Sequence, residues 1–142
     1  MENSFVQDAL AQAPKYELAN NVGEANIKVI GVGGGGNNMV SWLHKKGING
    51  AKIYAINTDK QHLDMTSCDG KFLIGRELTR GLGCGGFPER GREAAKESMH
   101  EIKNTIKDAD MVFVCAGFGG GTGSGAAPVV ASLAKETGAI VI

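Results

Sequence analysis

The sequence has no excess of either charge. Fifteen basic residues balance fifteen acidic ones, so the formal net charge of the 142-residue chain is zero. A neutral chain has no overall field to attract nucleic acid or an anionic membrane surface. We therefore expect no nucleic-acid partner, and any anion-binding site must be built from local groups.

Cysteine pairs and long apolar segments are also missing. The three cysteines form no CxxC motif and are odd in number, which favours reduced thiols in a cytoplasmic protein. No apolar run approaches the ~18 residues of a membrane span, and residues 1–26 lack the apolar core of a signal peptide. These absences predict a cytoplasmic protein of one domain without direct membrane insertion.

Glycine, by contrast, is abundant and clustered. Of 22 glycines, five lie within residues 31–36, four within 81–86 and six within 117–125, which argues against a general low-complexity bias. The last cluster follows an apolar run, 111–116, and precedes a helical pattern. We expect a strand, then a glycine-rich turn whose backbone can take positive φ angles, then a helix. Inward-facing N–H groups beside a helix N-terminus form an anion site that suits a polyphosphate.

Strand and helix patterns alternate along most of the chain. The strand patterns cover 27–32, 52–56, 71–74, 111–116 and 139–142, and the helix patterns cover 37–46, 60–65, 88–107 and 126–136. Because the strands are apolar on both faces, we expect an α/β domain with a three-layer, Rossmann-like parallel sheet over 27–142. Residues 1–26 are polar, and we expect an extension that is partly disordered or holds a short helix over 5–13. The pattern stops within a fifth strand, so we expect a truncated domain of a longer protein.

The first glycine loop admits a second interpretation. Gly31, Gly33 and Gly36 match G-x-G-x-x-G between a strand and a helix, and Asp59 lies where a ribose-binding acid would be. Alone, this pattern predicts a nicotinamide dinucleotide-binding domain of an oxidoreductase. Four consecutive glycines match many patterns, however, and such a domain has no use for a second phosphate loop. A P-loop motif is absent, and a non-enzymatic nucleotide-sensing module is a third alternative.

Four ordered blocks of sequence resemble the tubulin/FtsZ family. Residues 119–125 (GGGTGSG) resemble the family signature, and 27–38, 55–59 and 78–83 look like three further FtsZ blocks. FtsZ is a prokaryotic cell-division GTPase that assembles into filaments. The resemblance implies a GTP/GDP site at the carboxyl edge of the sheet, with Mg²⁺ held mainly by phosphates and water. It also implies head-to-tail self-association at the division site.

The same resemblance implies which residues bind nucleotide. The first glycine loop is expected to meet the α/β-phosphates and sugar, with Gly33, Gly34, Gly35, Gly36, Asn37 and Asn38. The third loop is expected to hold the β- and γ-phosphates, with Gly119, Gly120, Gly121, Thr122 and Gly123. Gly83 and Gly85 belong to the loop expected over the γ-phosphate. The resemblance also implies three features beyond Ile142: a segment that recognises guanine, the catalytic acidic loop and the contacts with other division proteins. No catalytic or metal-binding residue is therefore expected in this chain.

A few residues stand apart from the family pattern or from its site. Cys84 replaces a common alanine, which makes its loop a candidate for thiol sensitivity, and Phe87 replaces a common asparagine. Asp59 and Asp64 are candidates for holding hydrated Mg²⁺ or for capping a helix. For His62 we favour a surface role. For Trp42 we favour packing over stacking, because it lies on a helix.

Overall fold

Five parallel strands form one sheet in the order β3-β2-β1-β4-β5. The computed structural model describes residues 23–142, and the helix expected over 5–13 lies outside them. The strands are β1 (Ile27–Val32), β2 (Ala51–Asn57), β3 (Gly70–Leu73), β4 (Met111–Ala116) and β5 (Ile140–Val141). Each strand was predicted from its apolar run; the bounds of β1 and β4 are as predicted, and those of the other three strands differ by one residue at each end. The α/β fold class with a parallel sheet is confirmed.

Helices cover both faces of this sheet. They are α1 (Gly33–Lys46), α2 (Lys60–Met65), α3 (Arg76–Thr79), α4 (Pro88–Glu97), α5 (Met99–Ile106) and α6 (Thr122–Glu136). Alternation along β1 separates two apolar cores. Ile30 and Val32 pack with residues of α4, α5 and α6 on one face, and Val29 packs with Val40 of α1 and Leu63 of α2 on the other. The three layers follow from strands that are apolar on both faces.

The register of the sheet decides where the loops meet. Val32, the last residue of β1, pairs with Ile56 of β2 and with Ala116 of β4. The carboxyl ends of these three neighbouring strands are therefore level at one edge. The loops that follow them lie side by side, as expected for an open α/β sheet.

Two helices begin earlier than the sequence predicted. Helix α1 starts at Gly33 rather than at position 37, and α6 starts at Thr122 rather than at 126. Several glycines read as turn residues lie within these helices, where their missing side chains let two backbones approach. A Cβ on Gly125 would overlap the carbonyl of Pro88, and one on Gly91 would overlap that of Gly121. Close contact between α4 and α6 thus depends on these two glycines.

The prediction of one long helix over 88–107 was wrong, because the helix breaks at Ser98. That residue has φ −104° and ψ 20°, between α4 and α5, and its Oγ accepts the buried Gly75 N–H at 3.1 Å. Helix α3 was not predicted, because its four residues are too few for a periodic signal. Trp42 was expected to pack, yet it is 61% exposed, and Lys46 Nζ lies 5.4 Å from its ring centroid.

Candidate functional site

A cleft of about 460 Å³ lies at the carboxyl edge of the sheet. The three glycine loops form its walls, together with the end of β2 and the first turn of α2. The predicted site residues that line it are Gly34, Gly35, Gly83, Gly85, Gly120, Gly121, Thr122 and Gly123. The fold therefore brings together residues almost ninety positions apart in the sequence.

Two helix N-termini meet in this cleft. Neither α1 nor α6 has a side-chain cap or an acidic residue in its first turn. Gly33 has φ +73°, and a Cβ placed on it would lie 2.6 Å from the backbone nitrogen of Gly123, so the two first turns touch. The first N–H groups of a helix have no partner within the helix and carry its positive partial charge. Such a pair of termini favours an anion with several oxygen atoms.

The glycines of the third loop have different conformations. Within 117–125 only Gly119 has a positive φ, at +118°. Gly121 has helical angles, φ −80° and ψ −58°. At Gly123 the lack of a side chain allows a close approach of two backbones, since a Cβ there would lie 2.5 Å from the Gly117 carbonyl oxygen. By contrast, no atom lies within 4 Å of a Cβ on Gly120, which faces the cleft.

Five predicted site residues do not line the cleft: Gly33, Gly36, Asn37, Asn38 and Gly119. Asn37 is fully buried. In the amide orientation that satisfies its neighbours, its Nδ2 donates to the carbonyls of Ile56, at 3.0 Å, and Gly33. Its side chain therefore joins α1 to β2. The Gly119 N–H donates to Ser124 Oγ at 3.0 Å, which commits that hydroxyl within the loop. Nucleotide contacts of all the predicted site residues, these five included, stay predictions.

His62 lies in the cleft wall, whereas the sequence favoured a surface role. Its Nε2 is 2.9 Å from Asn38 Oδ1 and its Nδ1 is 3.4 Å from Asn57 Nδ2. Donation from Nε2 and acceptance at Nδ1 satisfy both contacts in a neutral ring. Asp59 Oδ1 accepts the His62 N–H at 3.1 Å and caps α2. The Asp-x-x-His spacing just after β2 is the signal that could have placed His62 at the cleft.

Carboxylates are scarce at the site. Asp59 is the one acidic residue among those described that line the cleft, and its side chain caps α2. Asp64, the other candidate for Mg²⁺, pairs with Lys60 Nζ at 2.6 Å and does not line the cleft. Over residues 23–142 no three His, Cys, Asp or Glu side chains group as metal ligands would.

The loop after α3 is attached beneath the cleft by its backbone and by one side chain. The Gly83 N–H donates to the carbonyl of Thr58 at 3.1 Å. Cys84 Sγ lies 3.4 Å from Thr58 Oγ1 and 3.5 Å from Thr122 Oγ1, and the two hydroxyl oxygens are 2.7 Å apart. All three side chains are buried, at 4%, 0% and 8% exposure. These contacts join the loop to Thr58, the residue that follows β2, and to the first residue of α6.

Large apolar side chains surround the mouth of the cleft. Leu82, Phe87 and Phe118 are 83%, 64% and 78% exposed. Leu82 and Phe118 line the cleft, and the Phe87 ring lies 3.7 Å from a Cβ placed on Gly85. Exposed apolar groups around a polar site are typical of surfaces that another protein covers.

Among the helices of residues 23–142, none is both long and apolar enough to cross a membrane.

Comparison with known proteins identifies relatives of the chain. The sequence matches the model of the tubulin/FtsZ family, GTPase domain, over residues 26–142. It is 54% identical over 139 residues to cell division protein FtsZ 2 of Methanocaldococcus jannaschii. That match covers 97% of this chain and 37% of the relative.

Solved structures of FtsZ and CetZ proteins also superpose on the chain. An empty FtsZ dimer from M. jannaschii superposes with a TM-score of 0.82 at 51% identity, over 96% of this chain and 38% of that one. CetZ2 from Haloferax volcanii, solved as a GTPγS-bound protofilament, superposes with a TM-score of 0.72 at 31% identity, over 82% and 38%. The chain thus spans well under half the length of these relatives.

Proposed function

The chain belongs to the tubulin/FtsZ family, as part of its GTPase domain, and on that premise we propose that its cleft binds GTP and GDP through their phosphates. The observation that carries this proposal is the meeting of two uncapped helix N-termini at Gly33 and Gly123. A diphosphate offers enough oxygen atoms to accept from both first turns. At about 460 Å³, the cleft is also within the ~300–1,000 Å³ range of ordinary ligand pockets.

The positions of the three loops suggest how the phosphates divide among them. Gly34 and Gly35 at the start of α1 would hold one end of the diphosphate, and residues 120–123 at the start of α6 the other. Gly83 and Gly85 face the same space from the loop after α3 and would lie over a third phosphate. Binding of GTP would therefore engage this loop more than binding of GDP.

The whole protein would be a GTPase of cell division, acting in the cytoplasm at the division site. Hydrolysis needs a group that activates water, and Asp59, the one cleft carboxylate among the described residues, is committed as a helix cap. We place the catalytic carboxylates outside this chain, on a neighbouring subunit. Mg²⁺, when bound, would offset phosphate charge, with phosphates and water as its ligands.

Head-to-tail self-association follows from the same surface. The apolar mouth formed by Leu82, Phe87 and Phe118 would be covered by the next subunit. Contact there would place a partner's acidic groups beside the phosphates, and the relatives solved as a dimer and as a protofilament support assembly of this kind. Other division proteins would bind through parts of the whole protein not in this chain.

Calorimetry with GDP, GTP, ATP and NADH tests the proposal. We expect both GDP and GTP to bind and NADH not to bind. Discrimination between bases needs polar groups that pair with the base, and the guanine-recognising segment is expected outside this chain. ATP should therefore compete with GTP. Binding of NADH without binding of GDP would overturn the proposal and favour the oxidoreductase alternative, which the comparisons do not support.

A further inference from the structure

Cys84 is part of a closed ring of three hydrogen-bonding side chains beneath the cleft. Its sulfur contacts Thr58 Oγ1 at 3.4 Å and Thr122 Oγ1 at 3.5 Å, and the two hydroxyl oxygens are 2.7 Å apart. Thr58 is completely buried, whereas Thr122 and Cys84 line the cleft. Only Thr122 and Cys84 can therefore exchange a partner within the ring for a bound ligand.

The number of protons limits the arrangements of this ring. A hydroxyl carries one proton and can accept two hydrogen bonds, and a thiol is a weak donor and a weak acceptor. The Thr58–Thr122 bond can run in either direction. When Thr58 donates, the proton of Thr122 is free to leave the ring. When Thr122 donates, that proton is held in the short 2.7 Å bond.

We propose that Cys84 is a positioning residue for phosphate binding, because Thr122 donates to its sulfur and the ring can then run in only one direction. The thiol donates to Thr58, Thr58 donates to Thr122, and Thr122 keeps its own proton for the ligand. Without ligand, that proton points to the sulfur at 3.5 Å, a weak acceptor from which it is easily withdrawn. On binding, the Thr122 proton turns to a phosphate oxygen while the rest of the ring stays intact. This inference rests on the proposed function of the cleft.

The position of Cys84 within its loop supports such a role. A Cβ on Gly121 would lie 2.7 Å from Cys84 Cβ, so the cysteine is seated directly against the start of α6. An alanine at 84 would keep that Cβ contact and remove only the sulfur. The Thr122 proton would then find its best partner in Thr58, and ligand binding would have to reverse their bond. Hydrogen bonds in a chain also polarise one another, so losing the first donor weakens the last one.

The test is a set of GDP titrations by calorimetry. Cys84→Ala is expected to weaken binding about three- to tenfold, the range for one neutral hydrogen bond. Cys84→Ser keeps a donor and is expected to stay within about twofold of the parent chain. Cys68→Ala is the matched control, because the Cys68 thiol contacts the Gly70 carbonyl, away from the cleft, and should leave affinity unchanged.

A double-mutant cycle separates positioning from packing. In a Thr58→Val background the ring is already broken, so adding Cys84→Ala should cost little further affinity. Additive losses, or a Ser variant as weak as the Ala variant, would overturn the inference. Chemical denaturation of each variant shows that the titrated protein is folded. If the parent chain binds no nucleotide at all, the proposed function fails instead.

Discussion

Gly120 and Gly123 lie three residues apart in the third glycine loop and are expected to respond oppositely to one added methyl group. A Cβ on Gly123 would lie 2.5 Å from the Gly117 oxygen, 0.9 Å inside the 3.4 Å at which ordinary contact begins. Overpacking of this kind costs about 1–3 kcal/mol of stability. Gly123→Ala should therefore lower the free energy of unfolding by about that amount.

Gly120→Ala should leave the fold intact and impair binding. No atom lies within 4 Å of its Cβ and its φ is not positive, so the change in stability should stay within about 0.5 kcal/mol. The methyl group would enter the cleft, where a phosphate would otherwise accept N–H bonds. Losing one bond to a charged ligand costs about 1.5–3 kcal/mol, so GDP affinity should fall roughly tenfold or more.

Chemical denaturation and GDP calorimetry on both variants measure the two effects separately. The reasoning is refuted if Gly120→Ala binds GDP as tightly as the parent chain. It is also refuted if Gly123→Ala is as stable as the parent, because the close approach of 117 and 123 would then have no energetic meaning. The two glycines act as controls for each other, since both receive the same methyl group.

Other predictions follow from single contacts. Thr122→Val should weaken GDP binding by about 1.5–3 kcal/mol in calorimetry, and unchanged affinity would count against a hydroxyl contact to phosphate. Ser98→Ala should lower stability to denaturant by about 1–3 kcal/mol, because the buried Gly75 N–H loses its acceptor. The chain alone should bind GTP without releasing phosphate, and turnover that disappears in Gly120→Ala would contradict this. Burial raises the pKa of the Cys68 and Cys115 thiols above 9.0. The unfolded chain therefore loses these protons at a lower pH than the folded chain. The two thiols should leave the free energy of unfolding unchanged below about pH 9 and lower it as pH rises through the folded pKa values. A stability maximum above pH 9 would refute that sign.

The sequence predicted most of the secondary structure, because the signals involved are local. Apolar runs such as 27–32 and 111–116 are long enough to identify buried strands, and Pro88 correctly marked the first residue of a helix. The loops after β1 and β4 lie at one edge of the sheet because these two strands are parallel neighbours. The break at Ser98 was missed because the group that Ser98 Oγ binds there, the Gly75 N–H, comes from a residue 23 positions away.

The sequence by itself determined the family, the fold class and the general nature of the site, because glycine clusters between strands and helices are a local pattern. Only the tertiary structure decided what each residue in those clusters does. Gly120 faces open space and Gly123 faces a carbonyl, a difference that depends on the neighbouring backbone. The ring of Thr58, Cys84 and Thr122 joins positions separated by 26, 38 and 64 residues. Such contacts leave no periodic trace in a sequence, because packing of distant elements creates them.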